Sequence, residues 1–223
     1  MRQFAIVAQE HQPVPVMPDF AIENQFQSEG FHPVAGIDEA GRGPLAGPVV
    51  SAAAILPEGF EADGLNDSKK LSPARREKLH AFITAENSGV IWGWARVESG
   101  DIDRLNILKA THRAMALAAE SLQVVPAMTL IDGLPVTGFP YPFRAVVKGD
   151  SRSMSIAAAS ILAKVERDRI MLGYAKRYPQ YGFDRHKGYG TKNHLEALSK
   201  YGPCAIHRQS FSPVAQCAGE SYP

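Results

Sequence analysis

Four acidic residues, Asp38, Glu39, Asp132 and Asp150, each follow a short apolar segment of the chain. Burying carboxylates close together is costly unless a cation lies between them. An all-oxygen ligand set without a nearby Cys or His favours Mg2+ or Mn2+ over zinc. We therefore predict a divalent-metal site at these four acids, and such ions indicate phosphate chemistry.

Two divalent ions that lie roughly 3.5 to 4 Å apart need carboxylates that arrive from several sides. We expect Asp38 to bridge the ions, Glu39 to bind one of them, Asp132 to lie opposite, and Asp150 to lie beside the ion on the nucleophile side. Neighbouring side chains of a strand point to opposite faces, so Asp38 and Glu39 can converge only if the strand breaks there. Taken singly, Asp132 and Asp150 would be ordinary turn residues. As a set, the four acids favour the metal site.

A glycine-rich turn, Gly41, Arg42 and Gly43, follows the first two acids. The glycines leave backbone amides uncovered, so a sugar or a phosphate can approach closely. Arg42 is open to two interpretations: it forms an ion pair with the neighbouring acids, or it contacts substrate.

Two further polar segments carry candidates for substrate contact. Lys69 and Lys70 lie in a loop before a predicted helix, where lysines either face solvent or clamp phosphates. His186, Lys187 and Tyr189 lie in a later basic segment that is interleaved with glycines. A tyrosine in such a loop can stack on a ribose or base and hydrogen-bond a 2′-hydroxyl, the group that distinguishes RNA from DNA. A lone histidine such as His186 is also consistent with a structural role.

Charge is unevenly distributed along the 223 residues. Residues 1–143 hold 11 Lys and Arg against 17 Asp and Glu, whereas residues 144–200 hold 12 against 5. An acidic metal site beside a basic half suits a polyanion whose reactive phosphate lies at the ions. The alternative is that the basic residues only solvate helix surfaces, and charge alone does not decide between the two.

The composition excludes several classes of protein. With 45% apolar residues the chain can bury one core of ordinary size. It has no run of 18 apolar residues, so we expect no membrane span. The N-terminus lacks the pattern of a secretory signal, which favours a cytoplasmic protein, and we expect a monomer. Cys204 and Cys217 are too few for a disulfide framework or a zinc site.

Alternating apolar patterns predict the elements that would position these residues. We predict strands over 33–37, 49–56, 90–97, 128–131 and 143–147, and helices over 72–85, 102–122, 155–177 and 192–201. Strands that alternate with helices indicate an α/β domain in which sites collect at strand ends. We expect this domain to span 33–214, between a flexible N-terminal extension over 1–32 and a C-terminal tail over 215–223. Removal of the extension should leave the core folded.

The chain resembles the bacterial ribonuclease HII family in five segments that occur in this order: GIDEAGRGPLAGPVVSAAAIL, LNDSKKLS, LIDG, VVKGDSRSMSIAAASILAKVERDR and YPQYGFDRHKGYGTKNHLEAL. The resemblance runs from about Val34 to about Val214. It implies a ribonuclease H-like fold, a mixed α/β sheet flanked by helices, with a C-terminal helical part that helps to hold substrate.

The resemblance also implies an activity. The enzyme would cut the RNA strand of RNA-DNA hybrids and would cut at single ribonucleotides embedded in duplex DNA, leaving 3′-hydroxyl and 5′-phosphate ends. The four acids would be the catalytic residues of a two-metal, in-line reaction that uses Mg2+ or Mn2+. Specificity would depend on the 2′-hydroxyl and groove shape more than on base edges.

Substrate contacts follow from the same resemblance. The Gly41, Arg42 and Gly43 turn would track the 2′-hydroxyl and phosphate of the ribonucleotide, and Tyr189 would check its junction with DNA. We add Lys148 and Ser151, which lie on either side of the Gly149 and Asp150 pair, to the expected substrate contacts.

Three other functions compete with this interpretation. A related metal nuclease acting on plain or branched DNA would use the same acids, but Arg42 and Tyr189 in their glycine settings argue against it. A hybrid-binding module without activity conflicts with the intact carboxylates. A small-molecule phosphatase is disfavoured by the long basic half of the chain.

Overall fold

A five-stranded mixed sheet lies at the centre of the computed structural model, which describes residues 17–219. The strands are β1 (Val34–Ala40), β2 (Val49–Ile55), β3 (Ile91–Val97), β4 (Met128–Asp132) and β5 (Phe143–Val146). Their spatial order is β3-β2-β1-β4-β5. Strand β2 is antiparallel to β1 and β3, whereas β4 is parallel to β1 and β5. The predicted mixed α/β sheet is confirmed.

Helices flank this sheet and connect its strands. They are α1 (Ala21–Ser28), α2 (Pro73–Ile83), α3 (Ser99–Leu105), α4 (Ile107–Glu120), α5 (Met154–Arg177), α6 (Phe183–His186), α7 (Lys192–Tyr201) and α8 (Ser212–Gly219). Ser72 and Thr191 cap α2 and α7 as predicted, because their hydroxyl oxygens accept the amides of Arg75 at 3.3 Å and His194 at 3.4 Å. Within residues 17–219, no helix is long and apolar enough to cross a membrane.

Helices α5 and α4 cover opposite faces of the sheet. Ala52 of β2 packs in one core cluster with Leu162 of α5, and its neighbour Ala53 packs in another with Met115 of α4. This alternation is expected for a strand buried on both faces. Helix α5 crosses β1 at Gly36, where an added Cβ would lie 2.1 Å from the carbonyl carbon of Ser155. Glycine at this position therefore allows the closest approach of α5 to the sheet.

The single long helix predicted over 102–122 is wrong. Asn106 has a φ of 69°, which ends α3 at Leu105 and begins α4 at Ile107. Asparagine tolerates this left-handed region better than most residues. Its side-chain oxygen also accepts the amide of Lys109 at 3.1 Å, so Asn106 caps the second helix. The helical spacing of the apolar residues continues across the break and conceals it.

The predicted flexible extension over 1–32 is wrong for the part of it that the structure describes. Helix α1 buries Phe26 in a cluster with Val34, Met128 and Ile156. The buried Glu23 carboxylate accepts hydrogen bonds from two residues at the start of α5, Ser153 Oγ at 2.6 Å and Ser155 N–H at 2.9 Å. Residues 1–16 lie outside the described range.

The predicted tail over 215–223 begins inside a helix. Helix α8 continues to Gly219, and Cys217 packs against the cluster formed by Leu45, Leu198 and Val214. The boundary at 214 is therefore corrected for residues 215–219, and residues 220–223 lie outside the described range.

Candidate active site and nucleic-acid interface

The register of the sheet brings Asp38 and Asp132 together. Ile37 of β1 is paired with Ile131 of the parallel strand β4, so the two aspartates occupy the next position on neighbouring strands. Side chains two residues apart on a strand share a face, and Asp38 therefore shares the α5 face with Gly36. The prediction that β1 ends at Ile37 is wrong, because the strand continues through both acids to Ala40.

A tight turn delivers Asp150 to the same place. Lys148 adopts a left-handed conformation with a φ of 55°, and residues 149–151 form one turn of 3-10 helix after it. The Gly149 amide donates to Asp132 Oδ1 at 2.6 Å, and the Asp150 amide donates to the same atom at 3.4 Å. A side chain at Gly149 would collide with Ile156, since its Cβ would lie 2.5 Å from that residue's Cδ1.

The three aspartates form a cluster that we call the carboxylate edge, consisting of Asp38, Asp132 and Asp150. One oxygen from each lies within 4.8 Å of the others, and Asp38 and Asp150 are buried. Burial and the charges of Glu39 and Asp132 raise the pKa of Asp38 well above its ordinary value. Burial and Asp150 likewise raise the pKa of Asp132. Like charges that repel one another at this distance favour the binding of a divalent cation between them. The all-oxygen donor set suits Mg2+ or Mn2+.

Glu39 lies beside this cluster and faces Arg42. Its Oε1 is 3.4 Å from Arg42 Nη1, so the ion pair that was one of the two interpretations of Arg42 is present. Burial raises the pKa of Glu39, and the nearby Arg42 opposes that rise. Arg42 keeps about half of its side chain exposed, which leaves the guanidinium accessible to a ligand as well.

The loop over 66–70 adds a cation and a further acid to the site. Lys69 Nζ lies 3.5 Å from Asp150 Oδ2. Burial alone would lower the pKa of Lys69, but the Asp38 and Asp150 carboxylates raise it above its ordinary value. Asp67 accepts the Lys69 amide at 2.9 Å and, after burial, is the main cause of the raised pKa of Asp150. Sequence reasoning missed Asp67, although its place in the same loop as Lys69 was a usable signal. The contact predicted for Lys70 stays a prediction.

Two loops meet next to the carboxylate edge: the glycine loop, residues 41–47, and the tyrosine loop, residues 187–190. The Leu45 amide donates to the Gly188 carbonyl at 2.8 Å. A Cβ on Gly43 would lie 3.8 Å from Tyr189 Cε1, in ordinary van der Waals contact with the ring. The Tyr189 side chain is exposed, so the structure brings the predicted glycine turn and the predicted tyrosine together at the surface.

The side chains of four other predicted substrate contacts differ in their exposure and in their hydrogen bonds. Lys148 is exposed, whereas Ser151 is buried and its hydroxyl donates to the Lys148 carbonyl at 2.9 Å. His186 Nε2 lies 2.7 Å from the Tyr181 carbonyl oxygen, and the His186 ring stacks on that of His194. The ammonium of Lys187 donates to the Asp184 carbonyl. Within residues 17–219 the exposed Lys148 side chain has no hydrogen bond or ion pair, whereas the other three side chains bond to or stack on their own loops.

Sequence reasoning also missed two buried arginines. Arg167 of α5 and Arg208, which follows α7, are both fully buried and bond to the glycine loop. Arg167 counts toward the basic excess of residues 144–200, so part of that excess lies inside the protein and not on its surface. Nothing in the local sequence distinguishes these arginines from exposed ones.

Comparison with solved structures defines the class of protein. The ribonuclease H2 from Pyrococcus horikoshii OT3 superposes with a TM-score of 0.70 at 26% identity, over 83% of this chain and 97% of that chain. The Mn2+ complex of Bst-RNase HIII superposes with a TM-score of 0.66 at 17% identity, over 84% of this chain and 69% of that chain, and this likeness concerns the fold alone. The predicted ribonuclease H-like fold is confirmed.

Sequence comparison then identifies the family. The family model for Ribonuclease HII matches residues 35–214. Ribonuclease HII of Geotalea uraniireducens (strain Rf4) is 52% identical over 194 residues, which is 87% of this chain and 89% of that protein. The chain therefore belongs to the ribonuclease HII family. It is an endoribonuclease of the type that cleaves RNA in RNA-DNA hybrids, and enzymes of this type use divalent metal ions.

Proposed function

We propose that this enzyme cleaves two substrates: the RNA strand of long RNA-DNA hybrids, and duplex DNA at a single embedded ribonucleotide. The products would carry 3′-hydroxyl and 5′-phosphate ends. The observation that carries the proposal is the contact between Tyr189 and the glycine loop beside the carboxylate edge. One ribose at this contact would meet both a stacking ring and bare backbone amides while its phosphate reaches the acids.

Asp38, Asp132, Asp150 and Glu39 would hold two Mg2+ or Mn2+ ions. The close approach of three carboxylates and their raised pKa values support this assignment, because binding a cation relieves the repulsion between them. When bound, such ions lower the pKa of a water that attacks in line and stabilise the leaving 3′-oxygen. Asp38 is the most buried of the three clustered aspartates and has both Glu39 and Asp132 as neighbours, which suits the bridging role.

The protein's own cations would hold the phosphates near the acids. Lys69, which pairs with Asp150 at 3.5 Å, would contact the scissile phosphate from that side of the site. Arg42 would exchange its ion pair with Glu39 for a contact with the backbone of the ribonucleotide. Lys148, with its exposed side chain beside the Asp150 turn, would contact a flanking phosphate.

Recognition of the ribonucleotide would fall to the glycine loop and to Tyr189. Amides of Arg42 and Gly43 can donate to a phosphate or a 2′-hydroxyl, because no Cβ at Gly43 obstructs them. The Tyr189 ring would stack on the sugar, and its hydroxyl would sense the 2′-hydroxyl at the junction with DNA. Ser151, His186, Lys187 and Lys70 complete the proposed set of contacts. We also propose that the enzyme is a monomer and that it acts in the cytoplasm to remove ribonucleotides from DNA.

A panel of labelled duplexes tests the proposal. Wild-type enzyme is incubated with an all-DNA duplex, a DNA duplex with one ribonucleotide, and a long RNA-DNA hybrid, with Mg2+ or with Mn2+. We expect cutting of the last two alone, and product ends that a phosphatase and a ligase identify as 5′-phosphate and 3′-hydroxyl. Cutting of all-DNA duplex at a similar rate would favour a general metal nuclease, and tight binding without cutting would favour a binding module.

A further inference from the structure

Two buried guanidinium groups lie beneath the glycine loop and the tyrosine loop, which we together call the recognition loops. Arg167 and Arg208 have 0% exposure, and within the described residues neither forms a direct ion pair; Asp168 and Asp103 act on their pKa values only from a longer distance. Buried arginines are rare without a carboxylate partner, because removing a charge from water is costly. Burial lowers the pKa of Arg167 to about 10, and burial together with Arg167 lowers the pKa of Arg208 to about 9. Both groups therefore remain charged at neutral pH, at a cost that their contacts must offset.

Arg208 binds both ends of the glycine loop. Its Nη1 donates to the Arg42 carbonyl at 2.8 Å and its Nη2 to the Gly41 carbonyl at 2.6 Å. The Gly47 carbonyl accepts from Nε at 3.0 Å and from Nη2 at 2.9 Å. One planar group thus satisfies three loop carbonyls, and only arginine offers donors in this fixed arrangement.

These bonds set the direction of the loop amides. A trans peptide holds its carbonyl and the following N–H on opposite sides of the bond. Since the carbonyls of Gly41 and Arg42 face the guanidinium, the amides of Arg42 and Gly43 point away from Arg208. These are the amides to which the proposed function assigns the ribonucleotide.

Arg167 joins the glycine loop to the tyrosine loop. Its Nη2 donates to the Ala46 carbonyl of the glycine loop at 3.2 Å, and its Nε donates to the carbonyl of Pro48, the residue after that loop, at 3.0 Å. Its Nη1 donates to the Lys187 carbonyl at 3.0 Å, two residues before Tyr189. The arginine also passes directly under Gly41, where an added Cβ would lie 2.0 Å from Nε.

We propose that Arg208 and Arg167 are positioning residues that orient the glycine loop and the tyrosine loop for recognition of a single ribonucleotide. This inference rests on the proposed function, because it explains how the two halves of that recognition site keep one geometry. A long hybrid offers many 2′-hydroxyls and phosphates in register, so it tolerates a displaced loop. One ribonucleotide within DNA has no alternative contact, and a displacement of about 1 Å can cost about 100-fold in rate.

Arg208→Lys and Arg167→Lys test the proposal, because each keeps the charge and loses the multiple carbonyl contacts. We measure kcat/KM on the single-ribonucleotide duplex and on the long hybrid, well below the melting temperature of each variant. The expected result is a loss on the single ribonucleotide that exceeds the loss on the hybrid by about 10-fold or more. Mn2+ affinity, followed by calorimetry, should stay at the wild-type value, since Asp38 and Asp132 lie on strands and the Asp150 turn is held through the Gly149 amide.

His80→Gln is the matched control for a destabilised core. His80 is buried and lies 2.8 Å from Glu166, the residue before Arg167, but it contacts neither recognition loop. This variant should lower stability and leave the ratio of the two kcat/KM values unchanged. Amide hydrogen exchange should increase in residues 41–47 for both lysine variants and in residues 187–190 for Arg167→Lys, with the amides of β1 and β4 unaffected.

The outcomes separate the two proposals. If the wild-type enzyme fails to cut the single-ribonucleotide duplex, the proposed function is wrong whatever the variants do. If it cuts both substrates and each lysine variant loses activity equally on both, as a generally weakened fold would, the positioning role is wrong. If one variant does not fold, the other is judged by the same ratio of kcat/KM on the two substrates. If neither folds, amide hydrogen exchange of the wild-type protein tests the positioning role. Rapid exchange in both loops would then contradict the proposal that these arginines hold them.

Discussion

The carboxylate edge and the recognition loops lie side by side but are held in place by different interactions. Asp38 and Asp132 are placed by the register of two parallel strands, and Asp150 is attached to them through the Gly149 amide. The glycine and tyrosine loops belong to none of the five strands; backbone bonds such as Leu45 N–H to the Gly188 carbonyl join them, and the side chains of Arg167 and Arg208 hold them from below. The proposed catalytic half of the site is therefore positioned mainly by the sheet, whereas the proposed recognition half depends on long-range bonds of backbone and buried arginine side chains.

This difference has a consequence for mutations. Replacing Asp38 should abolish cleavage without disturbing the sheet, since the backbone pairing of β1 with β2 and β4 does not depend on its carboxylate. Replacing an arginine under the loops should leave the chemistry and disturb the choice of substrate.

Asp38→Asn should abolish cleavage of every substrate, with a loss of more than about 1,000-fold, or about 4 kcal/mol of transition-state stabilisation. The substitution removes the central charge of the proposed metal site, whereas the cations proposed to bind the polyanion remain. Single-turnover assays with Mg2+ and binding assays on the hybrid measure the two effects separately. Asp63→Asn, an exposed acid paired with Arg75, is the control. Turnover within about tenfold of wild type would show that Asp38 does not bridge the ions.

Tyr189→Ala should lose about 10- to 100-fold more activity on a single embedded ribonucleotide than on a long hybrid, because one ribose has no second contact. Tyr189→Phe keeps the ring that lies over Gly43 and removes only the hydroxyl, so it separates stacking from hydrogen bonding. Values of kcat/KM on both substrates provide the measurement. Tyr201→Ala, another half-exposed tyrosine, is the control. Equal losses on the two substrates would return Tyr189 to a role in general binding.

The same division explains how much could be predicted from the sequence. Asp38, Asp132 and Asp150 follow apolar runs of strand length, so a local pattern reports both their type and their place at a sheet edge. The glycine loop and Tyr189 were predicted as candidates, but their contact depends on residues far apart in the chain. Arg208 lies more than 160 residues from the carbonyls that it binds, and no local pattern reports such a bond.

Two errors in the predicted fold have the same origin. The break at Asn106 depends on one backbone angle that the apolar spacing does not record. Helix α1 was missed because it is short and mostly polar, with Ile22 and Phe26 as its only large apolar residues. It is held by the buried Glu23 and Phe26, whose partners lie in other elements. Predictions from spacing are therefore reliable where neighbours in sequence are neighbours in space, and they are unreliable elsewhere.

Glu23→Ala should lower the free energy of unfolding by about 1–3 kcal/mol, because it leaves the Ser153 hydroxyl and the Ser155 amide without their acceptor. Thermal melting measures the change, and Glu29→Ala at the exposed end of α1 is the control. Activity should also fall, since Ser153 is three residues from Asp150. Deleting residues 1–32 should destabilise the protein more than Glu23→Ala does, against the expectation from the sequence alone. A truncated protein with the wild-type melting temperature would show that α1 contributes nothing to the fold.

Metal-free protein should lose stability as the pH rises from about 4 toward neutrality. Burial and the charges of neighbouring acids raise the folded-state pKa of Asp38, Asp132 and Asp150, with Asp67 as the neighbour that acts on Asp150, so the folded state binds more protons than the unfolded state in this range. Stability then falls with increasing pH, because the slope follows the protons bound by the unfolded state minus those bound by the folded state. Asp38→Asn should therefore melt about 2–4 °C higher than wild type at pH 7.5 without metal, for about 1 kcal/mol gained. Saturating Mn2+ should remove this advantage; a metal-free variant that melts lower than wild type would contradict the repulsion.

The smallest expected effect concerns two lysines beside the two halves of the site. Lys148 has an exposed side chain next to the Asp150 turn, whereas the Lys187 ammonium donates to the Asp184 carbonyl within its own loop. One lost phosphate contact lowers the slope of log affinity against log salt by about one unit. We expect Lys148→Ala to show this change in full on an RNA-DNA hybrid, measured with catalytically inactive Asp38→Asn protein so that cutting does not interfere. Lys187→Ala should show the same change if substrate draws its ammonium away from Asp184. If the slope falls for Lys148→Ala but not for Lys187→Ala, Lys187 serves the structure of the tyrosine loop. If neither slope changes, neither lysine contacts the RNA-DNA hybrid.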